Sequence, residues 1–500
     1  MADIKREIER KYESDESGLP DLTGVAGVAA VIDKGVAHLD ATYYDTADER
    51  LAASKVTLRR RTGGSDAGWH LKFPVAPGVR DEIHAPLADT VPRPLAGLVR
   101  SRVRDGELLP VVRLVSDRDV RHLVDADGRL LAEVSVDAVR AERLTGKGGA
   151  AEWTEIEVEL ADGGDPVFLD KVEKRLRKAG VQPSASSSKL ARALEETAPK
   201  KRRKSRAARE AVTAGDHVLA YVRAQRDALV ELDPAVRQDV YDSVHRMRVA
   251  TRRLRSVFRS YDRVLDRAVT DPVGEELKWL AGELGVDRDQ EVLTERLTAA
   301  VDALPRALVV GPVRTRLRTW SQARRGGSRR RLIAVLDGAR YLELLNALDA
   351  LITDPPLLKA ASGKPEAVIA KAVRKDFGRL AGLVEQALAR SAGGERDLAL
   401  HEARKKAKRT RYAAESAVDV MGRPAIGLAK AMKDLQGLLG DHQDSVMTRQ
   451  ALRELARQAH SAGESTFTYG VLYGREEQRA AADEAELPGT WTEINRRAWP

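Results

Sequence analysis

A short run of alternating charges near the N-terminus could hold a divalent cation beside a polyanion. Glu7, Glu9 and Lys11 are separated by single residues, so a β-strand here would point all three to one face, with Ile8 and Arg10 on the other. Two carboxylates and an ammonium are costly to bury against apolar side chains. Carboxylate oxygens are, however, the ligands that hard cations such as Mg²⁺ prefer. The run therefore predicts either a cation-assisted phosphate site or a strand face in water.

The same alternation continues through the first 197 residues. The predicted strands cover residues 55–61, 69–73, 111–115, 122–124, 130–136 and 153–160. Their polar faces group charges of one sign, with Glu155, Glu157 and Glu159 on one strand and Arg59 and Arg61 on another. Each strand alone could be half-exposed with solvated charges, but like charges side by side destabilise a sheet unless something binds them. The whole set favours a closed antiparallel β-barrel with a charged lumen and apolar outer faces that helices cover.

The rest of the chain is predicted to be helical. Residues 198–210 form a basic linker, residues 211–490 carry long Ala-, Leu- and Arg-rich stretches, and residues 491–500 form a C-terminal tail. We therefore expect an α+β multidomain protein in which an N-terminal barrel over residues 1–197 precedes an all-α domain.

Two of the predicted helices carry matching basic stripes. The first consists of His245, Arg248, Arg252 and Arg255, and the second of His401, Arg404, Lys408 and Arg411. Downstream of each stripe lies a Leu- and Gly-rich segment with an acidic turn, at residues 280–292 and 435–446. Two matched landmarks in the same order predict two similar helical bundles. One stripe alone is usually a solvated helix face, but two of them predict the walls of an anion groove, because unpaired like charges repel.

Composition narrows the class of partner. Five hundred residues exceed what one hydrophobic core usually supports, and a formal charge of +9 points to acidic partners such as nucleic acid, an anionic membrane or a phosphate polymer. Aromatic residues make up only 4% of the chain, which argues against nucleic acid because base stacking needs them. The lack of cysteine excludes disulfides and thiolate metal sites. No apolar stretch is long enough to span a membrane, and the N-terminus is charged from Asp3 onward, so we expect a cytoplasmic protein without a membrane partner.

The first 197 residues resemble the CYTH family, the triphosphate tunnel metalloenzymes. The matching segments, in order, are residues 7–11, 43–46, 58–61, 69–73, 155–160 and 188–189. Members of the family include inorganic triphosphatases, thiamine triphosphatases, class IV adenylate cyclases and RNA triphosphatases. The resemblance implies a tunnel-shaped barrel that hydrolyses a phosphoanhydride bond with Mg²⁺ or Mn²⁺. Nothing in this chain resembles the purine pocket of a cyclase.

The resemblance also implies roles for particular residues. Those that would neutralise and orient a triphosphate are Lys11, Arg59, Arg61, Lys72 and Lys189, with a further tunnel arginine at either Arg113 or Arg118. Those that would hold one or two metal ions are Glu7, Glu9, Glu157 and Glu159, with Glu155 on the same face leaving the register of the late pair open. Glu133 and Asp137 would complete the metal shell or orient the attacking water, so the implied catalytic set is Lys11, Glu133 and Asp137.

Residues 211 to about 490 resemble the CHAD domain, a helical module named for its histidines and associated with inorganic polyphosphate. The implied polyphosphate-binding residues are His245, Arg248, Arg252, Arg253, Arg255, Arg340, His401, Arg404, Lys405, Lys408, Arg409 and Arg411. The acidic residues Asp287, Asp289, Asp441 and Asp444 are expected to pair with the basic helices. The segment 287–292 matches the acidic loop of the family only loosely.

Taken together, these features predict a metal-dependent hydrolase of tripolyphosphate or a related triphosphate. Its helical domain would bind inorganic polyphosphate and could bring the enzyme to polyphosphate granules. The alternative is a non-catalytic polyphosphate-binding protein that uses both domains as anion sites. A nucleic-acid binder is the weakest alternative, because only the net charge and the basic linker favour it.

Overall fold

The computed structural model describes residues 4–14, 18–146, 148–198, 212–324 and 328–496, except for the side chains of residues 286–289, 291, 324 and 328. The chain divides into two compact units, residues 1–207 and 208–500. Most of the predicted linker, residues 199–210, lies outside the described residues, as do residues 497–500 of the predicted tail.

The N-terminal unit is built on eight antiparallel strands. They are β1 (Ile4–Ser14), β2 (Ala30–Asp45), β3 (Thr57–Thr62), β4 (Gly68–Ala76), β5 (Val79–Ala85), β6 (Leu109–Val124), β7 (Leu130–Arg143) and β8 (Ala150–Leu160). Their order around the sheet is β1-β5-β4-β3-β2-β6-β7-β8, and the pairing of β8 with β1 closes the barrel. The predicted closed antiparallel barrel is therefore confirmed.

Helices cover the apolar outer face of this barrel. They are α1 (Arg50–Ala53), α2 (Arg93–Val103), α3 (Val167–Lys178) and α4 (Lys189–Glu196). The cores lie between barrel and helices: Val172 and Leu176 of α3, for example, pack in one fully buried cluster with Ile156 and Val158 of β8. Because the apolar side chains of the strands are buried outside the barrel, the polar side chains are left to fill its interior.

Three strands differ from the sequence prediction. The segments 111–115 and 122–124 belong to one long strand, β6, and β2 and β5 were not predicted as strands at all. The intervening residues 116–121, Ser-Asp-Arg-Asp-Val-Arg, have the composition of a polar turn. In the barrel they pair with β2 on one side and β7 on the other, and these neighbours satisfy their backbone groups.

The C-terminal unit is all-α, as predicted. Its helices are α5 (Ala214–Arg237), α6 (Ser243–Ser260), α7 (Arg267–Glu283), α8 (Val286–Asp302), α9 (Val313–Arg324), α10 (Ser328–Asp337), α11 (Ala339–Thr353), α12 (Pro365–Leu388), α13 (Gly394–Ser416), α14 (Val418–Met421), α15 (Arg423–Ser461) and α16 (Phe467–Arg496). A large hydrophobic core joins α5–α7 with α10–α16, and a smaller one joins α8, α9, α15 and α16. None of the helices among the described residues is both long and apolar enough to cross a membrane.

The two halves of this unit repeat the same arrangement. In the first, α6 carries the basic stripe and packs between α5 and α7; in the second, α13 carries it and packs between α12 and α15. The stripe helices α6 and α13 also contact each other. The predicted acidic turn at residues 435–446 is wrong, because this segment lies inside the continuous helix α15. Its counterpart is interrupted only between α7 and α8, at Leu284 and Gly285.

Candidate active site and candidate anion site

The barrel encloses a charged lumen of about 970 Å³. The carboxylates that line it are Glu7, Glu9, Asp66, Glu82, Glu133, Glu157, Glu159 and Asp162. The cations that line it are Lys5, Lys11, Lys34, Arg59, Arg61, Lys72, Arg80, Arg118 and Lys189. On β1, β3, β4 and β8, the charged side chains that face the lumen are those that the sequence alternation places on the polar face of each strand.

Carboxylates from two neighbouring strands meet along the seam between β1 and β8. Glu9 lies opposite Glu159 in the antiparallel register, and Lys11 lies opposite Glu157. The Nζ atom of Lys11 is 3.2 Å from Oε2 of Glu9 and also contacts Glu157. Burial disfavours the charged form of Glu157, but Lys11 and two further cations outweigh this effect and hold the pKa of its carboxyl well below the usual value. Glu157 is therefore ionised across the physiological range.

A buried ammonium supports this seam from behind. Nζ of Lys189, at the start of α4, lies 2.9 Å from Asp137, 2.7 Å from Glu155 and 2.6 Å from Glu157. Arg118 of β6 donates two hydrogen bonds to Asp137, at 2.7 and 2.8 Å, and one to Glu157 at 2.8 Å. Asp137 and Glu155 are almost fully buried and do not reach the lumen. Of this group, Glu157, Arg118 and Lys189 face the lumen.

The opposite side of the lumen joins β1 to β4 and β5. Nζ of Lys72 lies 2.5 Å from Glu7 and 3.5 Å from Glu82, and Nδ1 of His70 lies 2.8 Å from Glu82. Burial and a hydrogen bond with Glu82 raise the pKa of Glu7 to about 8. Of these two carboxyls, Glu7 is therefore the one that keeps its proton to the higher pH.

Two arginines of β3 also line the lumen. Arg59 donates a hydrogen bond of 3.3 Å to the hydroxyl of Tyr43, and Arg61 pairs with Asp66 at the edge of the lumen. Arg61 retains only 5% of its accessible surface. Planar guanidinium groups that face a cavity suit the oxygens of phosphate groups, which they can bind in a bidentate manner.

The lumen carboxylates fit the metal ions that the sequence implies. Glu7, Glu9, Glu157 and Glu159 offer only oxygen ligands, as Mg²⁺ and Mn²⁺ require. A second set of oxygens, from Asp137, Glu155 and Glu157, lies within 4.8 Å of one another. Because Asp137 and Glu155 do not reach the lumen, the lumen-facing set is the better place for a metal that acts on a bound phosphate.

The structure separates the two arginines between which the sequence could not decide. Arg118 faces the lumen, whereas Arg113 lies on the exposed outer side of β6 and pairs with Asp40 at 2.6 and 3.0 Å. Residues five positions apart on one strand point to opposite faces, so both could not lie in the tunnel. Glu133 lines the lumen, 3.3 Å from His122.

Strand β5 supplies lumen residues that sequence reasoning missed. Arg80 and Glu82 point inward, and Arg80 donates a hydrogen bond of 2.7 Å to the carbonyl oxygen of Ser187. The signal was present, because Arg80, Glu82 and His84 alternate with Val79, Asp81 and Ile83. The segment is short and mixes charge with apolar residues on its outer face, which obscured the strand.

In the helical unit, a group of cations gathers where α6 meets α13. We call Arg248, Arg252, Arg404 and Lys408 the cationic cluster. Burial, together with the charges of Arg404, Arg252 and Arg248, lowers the pKa of Lys408 to about 7. Among the described residues, neither Arg404 nor Lys408 has a carboxylate within 4.0 Å. The cluster therefore repels itself, as a site made for an anion would.

The other predicted polyphosphate-binding residues have different surroundings. Five of them pair with carboxylates: Arg253 and Arg411 with Glu415, Arg340 with Glu276, Lys405 with Glu402 and Arg409 with Asp376. The other three do not: His401 contacts Gln443, Arg255 is half-buried on α6, and His245 is exposed. Arg340 also stacks on Trp279, with its guanidinium carbon 4.1 Å from the ring centroid. The cationic cluster, in which Arg404 and Lys408 have no carboxylate within 4.0 Å among the described residues, is therefore the centre of the candidate anion site.

The acidic residues around the stripes are described only in the second half. Asp444 lies 4.0 Å from Arg296, and its charge acts on Arg404 and Lys408. The side chains of Asp287 and Asp289 lie outside the described residues.

Comparisons with known proteins agree with this division of the chain. The CYTH domain model matches residues 5–194, and the CHAD domain model matches residues 220–453. The chain thus belongs to the proteins in which a CYTH domain is followed by a CHAD domain. The protein Rv2226 of Mycobacterium tuberculosis is 39% identical over 507 residues, which cover 98% of this chain and 96% of that protein.

Two solved structures resemble parts of the chain. PptA from Streptomyces chartreusis aligns with a TM-score of 0.48 and 20% identity, covering 56% of this chain and 99% of that one. The CHAD domain from the plant Ricinus communis aligns with a TM-score of 0.44 and 26% identity, covering 58% of this chain and 95% of that one.

Proposed function

We propose that the barrel is a metal-dependent triphosphatase that acts on tripolyphosphate or a related triphosphate. The observation that carries this proposal is that one lumen holds carboxylates and cations beside one another. The carboxylates are concentrated on β1 and β8, and the cations come from β1, β3, β4, β6 and the start of α4. A triphosphate together with a divalent cation has complementary charges for both sets, and hydrolysis of its terminal phosphoryl group is mainly a matter of positioning and charge neutralisation.

The side chains of the lumen have distinct tasks in this reaction. Arg59, Arg61 and Lys72 bind the phosphate oxygens, and Lys11 neutralises the phosphate nearest the carboxylate seam. Mg²⁺ or Mn²⁺, when held by the lumen carboxylates, supplies positive charge to the reacting phosphate and makes water more acidic. Glu133, which faces the lumen, can orient the attacking water.

For the helical unit, we propose that the cationic cluster binds inorganic polyphosphate. Four clustered cations, two of which lack a nearby carboxylate in the described part of the chain, favour a ligand with closely spaced negative charges. Binding to a polymer would raise the local concentration of its chain ends and would retain the protein on polyphosphate granules.

A second candidate function has its own support. Lys11, Lys72 and Lys189 already contact lumen carboxylates, so the tunnel is charge-compensated without a metal. A tunnel of this kind could bind a polyphosphate end without cleaving it, in which case both units would be anion sites.

Phosphate release separates these two functions. The intact protein is assayed on tripolyphosphate, ATP, thiamine triphosphate and long-chain polyphosphate with Mg²⁺ or Mn²⁺, beside the variant Glu7→Ala/Glu9→Ala. We expect the double variant to lose activity on the order of a hundredfold or more. Glu152→Ala is the control, because Glu152 lies on β8 but points outward and pairs with Arg140.

The controls decide between the outcomes. Metal-dependent release that Glu152→Ala retains and the double variant loses supports the triphosphatase. Binding of tripolyphosphate without release from any substrate supports the second candidate, and equal release by the double variant contradicts the metal assignment.

A further inference from the structure

In each half of the helical unit, the guanidinium of a stripe arginine lies against a glycine. A Cβ atom added to Gly285 would lie 2.5 Å from Nη2, 2.7 Å from Cζ and 3.0 Å from Nε of Arg248. A Cβ atom added to Gly440 would meet the same three atoms of Arg404, at 3.2, 3.7 and 3.6 Å. The two shortest distances at Gly285 are too short for any real side chain, and at Gly440 the distance to Nη2 is tighter than an ordinary van der Waals contact. Both guanidinium groups therefore occupy the space that a side chain would fill.

The two glycines are equivalent in the repeat but not in their helices. Each is the second glycine of a Gly-x-x-Gly pair, Gly282 with Gly285 and Gly437 with Gly440. Gly285 lies at the junction of α7 and α8, whereas Gly440 lies inside the continuous helix α15. Both glycines contact a stripe arginine, but only Gly285 lies at a break between two helices.

The backbone conformation does not require a glycine at either position. Neither Gly285 nor Gly440 has a positive φ angle, so any residue could adopt the backbone found there. A glycine inside a helix is less stabilising than an alanine, and Gly440 is buried. The contact with Arg404 is the feature that a side chain at this position would disturb.

The guanidinium of Arg404 remains available to a ligand. Its Nε atom is buried and has no hydrogen-bond partner among the described residues, and no carboxylate of those residues lies within 4.0 Å. An arginine that packs on a backbone instead of an acid keeps its charge uncompensated while its geometry is restrained.

We infer that Gly285 and Gly440 are positioning residues of the polyphosphate site, on which the guanidinium groups of Arg248 and Arg404 are held beside Arg252 and Lys408. This inference rests on the proposed binding of inorganic polyphosphate by the helical unit. The lack of a side chain at each glycine sets the depth at which the arginine lies, and a methyl group there would push the guanidinium out of the cluster.

Alanine substitutions in the full-length protein test the inference, with a matched control in each half. Gly285→Ala and Gly440→Ala introduce the methyl group beneath the arginines. Gly282→Ala and Gly437→Ala introduce it three residues earlier, where nothing lies within 4 Å. Binding of long-chain inorganic polyphosphate is measured at two salt concentrations, and the midpoint of thermal unfolding is measured for each variant.

We expect affinity to fall about tenfold for Gly285→Ala and about threefold for Gly440→Ala, because a charge-assisted contact is weakened. The smaller effect follows from the longer distances at Gly440. The salt dependence of binding should also fall, since fewer counterions are displaced. The thermal midpoint of Gly440→Ala should be equal to or above that of the wild type, because alanine favours the helix. Both control variants should keep the affinity of the wild type.

The combination of weaker binding and undiminished stability is what a purely structural glycine would not show. Unchanged affinity in both test variants, or a loss of affinity in Gly440→Ala that a fall in thermal midpoint accompanies, would overturn the inference. If the wild type binds no polyphosphate, the proposed function of the helical unit fails. The positioning role is then decided by crystal structures of the free wild type and Gly285→Ala: displacement of the Arg248 guanidinium supports it, and an unmoved guanidinium overturns it.

Discussion

The two units of this protein handle buried positive charge in opposite ways. In the barrel, Lys189 lies among three carboxylates at 2.6 to 2.9 Å. In the helical unit, Lys408 lies among arginines, and its pKa falls to about 7 because of burial and these like charges. The barrel therefore compensates its own charges, while Arg404 and Lys408 of the cationic cluster have no carboxylate within 4.0 Å among the described residues and leave that task to a ligand.

This difference indicates two kinds of phosphate site. A lumen with both signs of charge can take a cation and an anion together, as cleavage of a triphosphate requires. A cluster of one sign can take only an anion, which suits binding without chemistry. Removal of Lys189 from the barrel and of Lys408 from the cationic cluster should change the free energy of unfolding in opposite directions.

The largest effect is expected for Lys189→Met in the barrel. The substitution leaves Asp137, Glu155 and Glu157 buried without their ammonium, and breaking a buried pair in this way costs about 3–5 kcal/mol. Hydrogen exchange of peptides from β7 and β8 measures the local free energy of unfolding. Arg140→Met is the control, because its pair with Glu152 is exposed and is worth less than about 1 kcal/mol. Equal losses of local stability in the two variants would contradict a stabilising role of Lys189 among the buried carboxylates.

A smaller effect of opposite sign is expected for Lys408→Met. Below pH 7 the lysine is charged in both the folded and the unfolded chain, so the folded state bears the whole repulsion. As the pH rises from about 7 towards 10.5, the folded state holds fewer protons than the unfolded state and the penalty fades. We expect the variant to gain on the order of 1 kcal/mol at pH 6 and less at pH 9, while polyphosphate binding weakens. Hydrogen exchange of α13 at both pH values measures the gain, and a loss of stability at pH 6 would refute self-repulsion in the cluster.

A further effect, on binding and not on stability, is the pH dependence of polyphosphate affinity. Lys408 is faced by Arg404 on its own helix, by Arg248 and Arg252 on α6 and by Asp444 on α15. Above its pKa of about 7, binding must restore the charge of Lys408 by taking up a proton. We therefore expect affinity to fall between pH 7 and 8.5, by up to roughly tenfold per pH unit.

Lys408→Arg is the matched variant for this measurement. It keeps a permanent charge and makes the second stripe resemble the first, which has Arg252 at this place. Its affinity should vary less over the same range. Identical pH profiles for the variant and the wild type would show that Lys408 does not titrate in the site.

Much of the fold could be predicted from the sequence because it depends on local periodicity. The alternation of Glu7, Glu9 and Lys11 and that of Glu155, Glu157 and Glu159 predict strands with a charged inner face, and the structure shows a closed barrel with that polarity. The change from period two to helical periodicity after the linker predicts an all-α second half. These patterns depend only on residues that are close in the sequence, so they can be recognised without knowledge of the fold.

Long-range pairing decided the rest. The register of β7 and β8 places Asp137 opposite Glu155 and behind the lumen, and the position of α4 brings Lys189 to both. In the helical unit, packing gave five of the other predicted basic residues acidic partners, as with Arg409 and Asp376, and left Arg404 and Lys408 without one among the described residues.

The sequence by itself therefore determined which faces are charged and that the helical half repeats. Only the tertiary structure decided which charges compensate one another, because partners such as Lys189 and Glu157 are distant in the chain and meet only when the barrel closes. The glycines beneath Arg248 and Arg404 show the same division. Their spacing is visible in the sequence, but their contact with the guanidinium groups exists only once the helices pack.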